Sequence, residues 1–507
     1  MNGGQQSLVT AGWVLVIVYM AVVLFFVVRG ARKSRSMKDY AIGSMTFSPI
    51  AVGLALAASM TSAATFIINP GFIALYGISG FISYALVLPA AAMISLVILT
   101  KGFRAHGSTV QALSMAQWMG TRYKSRGYSL FFAFLSLLLV TFIVLIVVGL
   151  VKVLSKTLDV SETAVLIGVV LFIFGYMAFG GANSMVYTNT VQAILMLIVA
   201  FILLGSGYQH FSHGVHGFLA ELRAIDPNLA TATNPKSYLF RDWFEIGFAQ
   251  VVVGVAIVCQ PHIITKSLLL KTDKDVNRYL TAGVITELIF FSVVFAGLYA
   301  RLTFPDLTFN GQPLKMDGII SAYVVREFPV FVGLIVVLGL ISAGISTLEG
   351  LIQSISTTIT KDIVEPLAGR LLPADEVERD RILQKVNKGA IALLALVSIW
   401  LSRDQLLHPK LSVAIFAQNG VYAYFSAAFL PILFGMFLKD VPKSVPIAAS
   451  ITAVVVHFWI SLANIRIPFT QSSGQNPGVA AAMAIVTSVL VGGVIHLSTR
   501  RRGDVPA

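Results

Sequence analysis

The stretch that decides the fold runs from residue 58 to residue 71, ASMTSAATFIINPG. It lies inside a long apolar run, yet it carries Ser59, Thr61, Ser62 and Thr65 and then Asn69-Pro70-Gly71. A helix that only faces lipid has no use for four hydroxyls. Ser and Thr can bond back to the preceding turn and satisfy themselves, which is the plain structural reading. Ser59, Ser62 and Thr65 are nevertheless spaced for one helix face. Proline also removes an N–H and disfavours helical geometry for Asn69 before it. The pattern predicts a helix that breaks at Asn69-Pro70-Gly71, at membrane depth. Unwound backbone survives there only where it lines a cavity or packs on protein. A half-helix end in that position offers carbonyls to a cation or N–H groups to an anion.

The surrounding composition fixes the class. Of 507 residues, 57% are apolar and only 12% are charged, and the mean hydropathy is +0.84. Apolar runs of about twenty residues recur along the chain, each long enough to cross a hydrocarbon core as a helix. A β-barrel would give weaker, alternating segments. The fold class expected is an all-α polytopic membrane protein. The single cysteine, Cys259, rules out an internal disulfide and a cysteine-based metal site. The N-terminal MNGGQQS has no positive region, and the apolar run after it is too long for a signal peptide, so it reads as a retained first span.

Thirteen spans are expected, at roughly 8–28, 48–75, 78–100, 127–151, 161–180, 184–206, 243–264, 279–303, 328–359, 387–402, 411–438, 445–464 and 477–498. With the N-terminus outside, the inner segments hold 25 of the 36 Lys and Arg, among them Arg29, Arg104, Lys266, Lys271, Arg370 and Arg500. That alternation follows the positive-inside rule and supports an N-out, C-in chain. The net charge of +13 is then mostly topological and calls for no nucleic-acid partner. The outer loop 207–242 reads as polar and without a core. The inner segment 108–126 reads as a helix lying on the membrane surface. No soluble domain is evident, and only about ten residues follow the last span, so no fused signalling domain is expected.

Three further clusters bring polarity into spans, where it is costly and marks function by default. In Ile341–Gly350, ISAGISTLEG, residues Ala343, Ser346, Thr347 and Gly350 share one helical face. Small residues there admit close helix approach. The Ser-Thr pair also offers two neutral hard oxygens, as suits a small hard cation. Glu349 beside them must be paired, protonated or part of a cation site. In Phe179–Gln192, FGGANSMVYTNTVQ, Gly180-Gly181 reads as a tight inner turn, and Asn183, Thr188, Asn189 and Gln192 make the next span start polar. Scattered members are Gln250, Gln260-Pro261-His262, Glu287 and Gln418-Asn419, each alone readable as a satisfied core group.

At these residues the sequence resembles the solute:sodium symporter family, which includes sodium-coupled carriers for proline, sugars, sialic acid, pantothenate and monocarboxylates. The likeness covers nearly the whole chain. It is carried by GLALAASMTSAATFIINPG (53–71), YMAFGGANSMVYTNTVQ (176–192) and LISAGISTLEGLIQSISTTITKDI (340–363). The junction QPHIITKSLLLKTDKDVNRYLTAG (260–283) is most similar to the pantothenate-type branch. The resemblance implies a LeuT-like fold: an extra N-terminal helix at 8–28, inverted repeats over 48–206 and 243–438, and two C-terminal helices at 445–498. It implies a sodium site from the backbone carbonyls of Ala57, Met60 and Ala343 and the hydroxyls of Ser346 and Thr347. Substrate would lie beside it, near Ser59, Thr61, Ser62 and Thr65, with Gln250 and Gln418 as further contacts. Many members carry Asp where this chain has Asn189, and the positions one turn below the Ser-Thr pair are here Glu349 and Gly350. A relocated coupling site at Glu349, for a second cation or a proton, is the expectation.

The function expected is sodium-coupled import of a small organic solute (a carboxylate or vitamin, an amino acid or a sugar) across the cell membrane by alternating access. Each sodium entering at −100 mV contributes about 2.3 kcal/mol, enough for roughly a fiftyfold solute gradient. Sodium is the coupling ion and no cofactor is expected. The partners are the solute, sodium and lipid, and a monomer suffices for transport. Rival readings are a proton-coupled carrier using Glu349, a transporter-like sensor and a passive channel. An intramembrane enzyme is a further rival, but the chain has no G-x-S-x-G, no H-E-x-x-H and no Cys nucleophile motif. No Arg or Lys stands at the expected solute site, so the sequence does not name the solute.

Overall fold

The computed structural model describes residues 3–33, 36–43, 47–110, 112–270, 272, 274–369, 371–408, 413–471 and 476–503. The inner-segment charges Arg35, Lys271 and Arg370 lie outside the described residues, as do the side chains of Arg500, Arg501 and Arg502.

Among the described residues the protein is all-helical apart from one two-residue hairpin, Thr308–Phe309 with Gln312–Pro313. Ten helices are long and apolar enough to cross a membrane: α1 (Val9–Ala31), α4 (Ile78–Arg104), α5 (Arg126–Leu158), α6 (Glu162–Gly205), α9 (Lys274–Thr303), α10 (Val330–Leu367), α11 (Glu376–Leu407), α12 (Val413–Phe437), α13 (Ser444–Leu462) and α14 (Pro477–Thr499). Two bent pairs also pass that test when each is taken together, α2 (Pro49–Met60) with α3 (Ala64–Tyr76) and α7 (Phe244–Ile257) with α8 (Pro261–Leu269), each bent by 56°. The apolar stretch of α5 is 72% buried and that of α12 78%, against 28% for α1 and 33% for α11. The core is therefore built around α5 and α12, with α1 and α11 on the rim.

The break in the second span lies earlier than Pro70 predicts. Helix α2 ends at Met60, Thr61 is extended (φ −95°, ψ 106°), and the chain turns back into helix at Ala64. A wide π turn at Ala64–Ile68 precedes Asn69–Tyr76. Such a turn shifts the backbone bonding register. Pro70, at the start of the next α-helical segment, thus sits within a helix instead of ending one. Helix packing inside a bilayer rests on close approach of small residues. A Cβ on Gly297 would stand 2.0 Å from the Pro70 carbonyl oxygen, so α9 presses directly on the α3 backbone.

The expected inner turn at Gly180-Gly181 falls on a sharp kink that joins two helices within α6. Gly181 adopts φ +63°, ψ −165°, and the helix resumes on both sides. The outer loop is also less bare than its sequence suggests. Helix Gly214–Ile225 buries Phe218 and Leu222, with Phe218 stacked on Phe211 at 4.6 Å and on Phe295 at 5.6 Å. The inner segment is helical over Met115–Arg122, but it packs into the protein. Trp118 is fully buried and stacks on Phe103 at 5.3 Å. Arg122 caps the end of α12 through the Gly435 carbonyl at 2.6 Å.

A left-handed φ strains any L side chain, and a Cβ on Gly181 would also meet the Tyr40 ring edge at 2.7 Å and its Cα at 2.9 Å. Gly181→Ala is expected to cost on the order of 2 kcal/mol or more. A lower melting temperature in detergent, with earlier aggregation, checks this; an unchanged melt would mean the kink relaxes freely.

Candidate functional site

The break in the second span leaves backbone carbonyls at the end of α2 without a continuing helical donor, since the last carbonyls of any helix lack one. Thr61 N–H closes the turn on the Ala57 carbonyl at 3.0 Å. Helix α10 runs past this point with Gly344, Ser346 and Thr347 fully inside. Ser346 Oγ donates to the Ala58 carbonyl at 2.6 Å and lies 3.1 Å from the Ala343 carbonyl. Thr347 Oγ1 lies 3.2 Å from the Ala343 carbonyl and 3.4 Å from that of Thr61. Ser59 Oγ returns the contact, donating to the Ser346 carbonyl at 3.3 Å. The five residues expected at the sodium site are thus gathered where α2 ends against α10. The carbonyls that the two hydroxyls reach are those of Ala343, Ala58 and Thr61, neighbours of Ala57 and Met60. This is a cluster of neutral hard oxygens with no water-facing exposure, the donor type that small hard cations take.

Asn189, on α6, donates through Nδ2 to Ser59 Oγ at 2.9 Å, and its Oδ1 is buried with no partner among the described residues. Glu349 is completely buried. Its two oxygens accept from Tyr176 OH and Thr188 Oγ1, both at 2.6 Å. Short hydrogen bonds from neutral hydroxyls to a carboxylate are the strong kind. Thr188 was legible in the sequence; Tyr176 was not, because nothing local marks it. Glu287, on α9, bonds Thr61 Oγ1 at 2.7 Å, and its other oxygen has no partner among the described residues.

Beside the break lies a cavity of about 100 Å³. Met60, Ser62, Thr65 and Gln418 line it, with Asn69, Tyr84, Gln260 and Tyr422 as further polar walls and Phe142 and Phe291 as apolar ones. Tyr84 and Gln418 hydrogen-bond each other across it. A mostly apolar pocket with a few convergent polar groups is the usual form of a small-solute site. Of the expected solute contacts, Ser62, Thr65 and Gln418 face this cavity. Ser59 and Thr61 do not line it: they are spent on Asn189 and the Ser346 carbonyl, and on Glu287. Gln250 is buried at the start of the helical turn of α7, with its amide nitrogen 3.3 Å from where a Cβ on Gly478 would sit, against α14. Gln260, at the α7–α8 break, takes the place in the wall instead, with its Oε1 unpartnered among the described residues.

Residues 40–452 match the model of the Sodium:solute symporter family. The chain is 26% identical to the sodium/pantothenate symporter of Escherichia coli, across 94% of this chain and 95% of that one. It is likewise 26% identical to the sodium/pantothenate symporter of Haemophilus influenzae, across 69% and 70%. Its fold is shared with the substrate-bound, outward-open structure of a Na+-coupled sialic acid symporter, at a TM-score of 0.74 and 17% identity, covering 95% of this chain and 98% of that one. The protein belongs to the sodium:solute symporter family: it is a multi-pass transporter of the cell membrane, not an enzyme, and Na+ is its coupling ion.

Proposed function

We propose that this carrier imports a small organic solute by alternating access, with carboxylates such as vitamins ahead of amino acids and sugars. The observation that carries the reading is the meeting of the Ser346 and Thr347 hydroxyls with the carbonyls freed by the broken second span. One Na+ would be held there by the carbonyls of Ala57, Met60 and Ala343 and the two hydroxyls. The solute would occupy the adjoining cavity against Ser62, Thr65 and Gln418. The relatives named for pantothenate favour a carboxylate.

Counting α6 as two spans at Gly181, and each bent pair as one, gives thirteen spans; the positive-inside rule would then put the N-terminus outside. The repeats would be 48–206 and 243–438. Their first helices are the two bent pairs, broken by the same 56°, which is what two inverted copies would give. Sodium must bind the outward state better than the inward one, or it shifts nothing.

The first test needs no substrate. The protein is melted in detergent against NaCl, with choline chloride holding ionic strength fixed. A ligand that binds only the folded state stabilises by about 2.7 kcal/mol at one hundred times its Kd. The melting temperature is expected to rise saturably, and Ser346→Ala or Thr347→Ala to shift the midpoint by about tenfold or more, the worth of one lost ligand. A flat wild-type response would remove the sodium assignment.

Glu349 is proposed as the coupling carboxylate, because it is buried, held by neutral donors (Tyr176, Thr188 and Gln192), and one helical turn from the Ser-Thr pair. Glu349→Gln keeps the shape and removes the charge. The ratio of ions to solute, or the pH dependence of uptake in vesicles, is expected to change. Identical ratio and pH profile would leave Glu349 a structural bond to Tyr176 and Thr188.

A further inference from the structure

A second, smaller cavity of about 20 Å³ lies past the break between α7 and α8. It is walled by α8 and α10, with Ala41, Leu113 and Met185 closing its sides. In the proposed orientation this is the cytoplasmic end. Three of its lining side chains end in buried polar atoms with no partner among the described residues: Lys266 Nζ, His262 Nδ1 and Thr357 Oγ1. Lys266 is 2% exposed, His262 4% and Thr357 2%. Of the other polar walls, Ser114 Oγ accepts from Gln117 N–H at 3.0 Å and bonds Asp362. Thr265 Oγ1 donates to the Pro261 carbonyl at 2.5 Å, and Gln353 Nε2 to the carbonyls of Tyr40, at 3.2 Å, and Ala41.

Buried polar groups are normally paired, and an ammonium is the costliest to leave alone. All three free atoms can donate: the ammonium, the threonine hydroxyl, and the imidazole nitrogen in its Nδ1–H form. The charged group whose field reaches Lys266 is Glu349, but that carboxylate already accepts from Tyr176 and Thr188. Three converging donors, one of them cationic, in a space of one or two water-sized volumes, match a singly charged planar anion. They match neither a cation nor a phosphate, which would call for more charge and room.

We infer that Lys266, His262 and Thr357 form a carboxylate-binding subsite at the inner end of the solute path. It would take the acid group of the transported solute on its way to the cytoplasm, and so rests on the symport reading and narrows its substrate to carboxylates. The subsite adjoins the sodium region. A Cβ on Gly350 would stand 3.5 Å from His262 Cβ and 3.7 Å from Ser59 Oγ. It also supplies the counter-charge that the cavity around Gln418 lacks.

The full-length protein is melted in detergent at fixed Na+ and ionic strength while sodium isethionate is replaced by sodium acetate. Lys266→Met, Lys266→Arg and Thr357→Val are run beside the wild type. Met matches the length of lysine without its charge. Acetate is expected to raise the wild-type melting temperature saturably. Lys266→Met should abolish the rise, Lys266→Arg keep it, and Thr357→Val weaken the apparent affinity by about tenfold. No difference between acetate and isethionate in the wild type overturns the subsite and leaves the three donors holding water. A rise that persists in Lys266→Met overturns it too. Chloride acting as well as acetate, and through Lys266, overturns the carboxylate assignment. A sodium–choline titration of the same samples separates the two readings. An acetate response without a sodium response sinks the symport reading and spares the subsite; the reverse sinks the subsite alone.

Discussion

The structure depends on how the carbonyls at the end of α2 are satisfied. Inside a bilayer no water reaches them, and an unsatisfied buried polar group costs about 1–3 kcal/mol. The hydroxyls of Ser346 and Thr347 supply the missing partners from another helix. The contact fixes the position of α10 against α2, and Ser59 and Asn189 extend it to α6. A hydroxyl that donates to a carbonyl still has lone pairs. The same oxygens can hold the two helices by hydrogen bonds or turn jointly toward a cation. That gives the contact two arrangements, and a ligand that prefers one of them biases the whole bundle.

The buried ionisable groups are satisfied unequally along the molecule, and the inequality separates scaffold from machinery. Glu245, at the start of α7, is fully engaged: Arg241 pairs with it at 2.7 Å, and Asn476 donates to it at 3.1 Å. That network ties α7 to the start of α14 and has nothing left to offer. Glu349 has neutral donors, Tyr176, Thr188 and Gln192, and no ion pair among the described residues. Glu287 has one hydroxyl and a free oxygen, and Lys266 has neither. Arg104 shows that the fold can satisfy a cation near Lys266 when it needs to, because its guanidinium binds the carbonyls of Ser267 at 2.7 Å and Leu270 at 3.0 Å. Arg104 caps α8 and fixes the helix from which Lys266 projects. Lys266 is left free by contrast with its neighbour, not for want of nearby carbonyls.

Much of the architecture was legible because bilayer physics writes it into composition: span length, apolar runs and charge alternation are local properties. The hydroxyl-rich stretch after Ala58 marked the right helix, but Pro70 pointed to the wrong residue for the break. A proline's cost depends on the register of the turn before it, and the π turn at Ala64–Ile68 changed that register. The Ser346–Thr347 pair was visible as a motif, whereas its partners, Ala58 and Thr61, are set by how two distant helices cross. Lys266 was counted with the topological charges, since a lysine near a predicted helix end looks exposed until α10 is packed over it. Gln250 and Gln260 are ten residues apart in the same bent span. Which of them faces the cavity is decided by the 56° bend and by α14, and neither is periodic in the sequence.

The two bent spans place the two cavities in a definite relation. Gln260 stands at the α7–α8 break and lines the larger cavity, while His262 and Lys266, on α8, line the smaller one. A single short segment therefore touches both compartments, and its bend separates them. Across from it, α10 presents Ser346 and Thr347 to the broken end of α2 and Thr357, about three turns further on, to the smaller cavity. Closing or opening the smaller cavity must move α8 relative to α10, since these two helices form its wall, and α10 also holds the α2 contact. Such a motion falls within the proposed second repeat, 243–438, and needs no helix unfolded, because the α7–α8 break already carries the bend. The residue best placed to sense that motion is Gly350. It has no side chain, and a Cβ there would meet both His262 and Ser59 at ordinary van der Waals distance, so a methyl-sized gap separates the helices at this point.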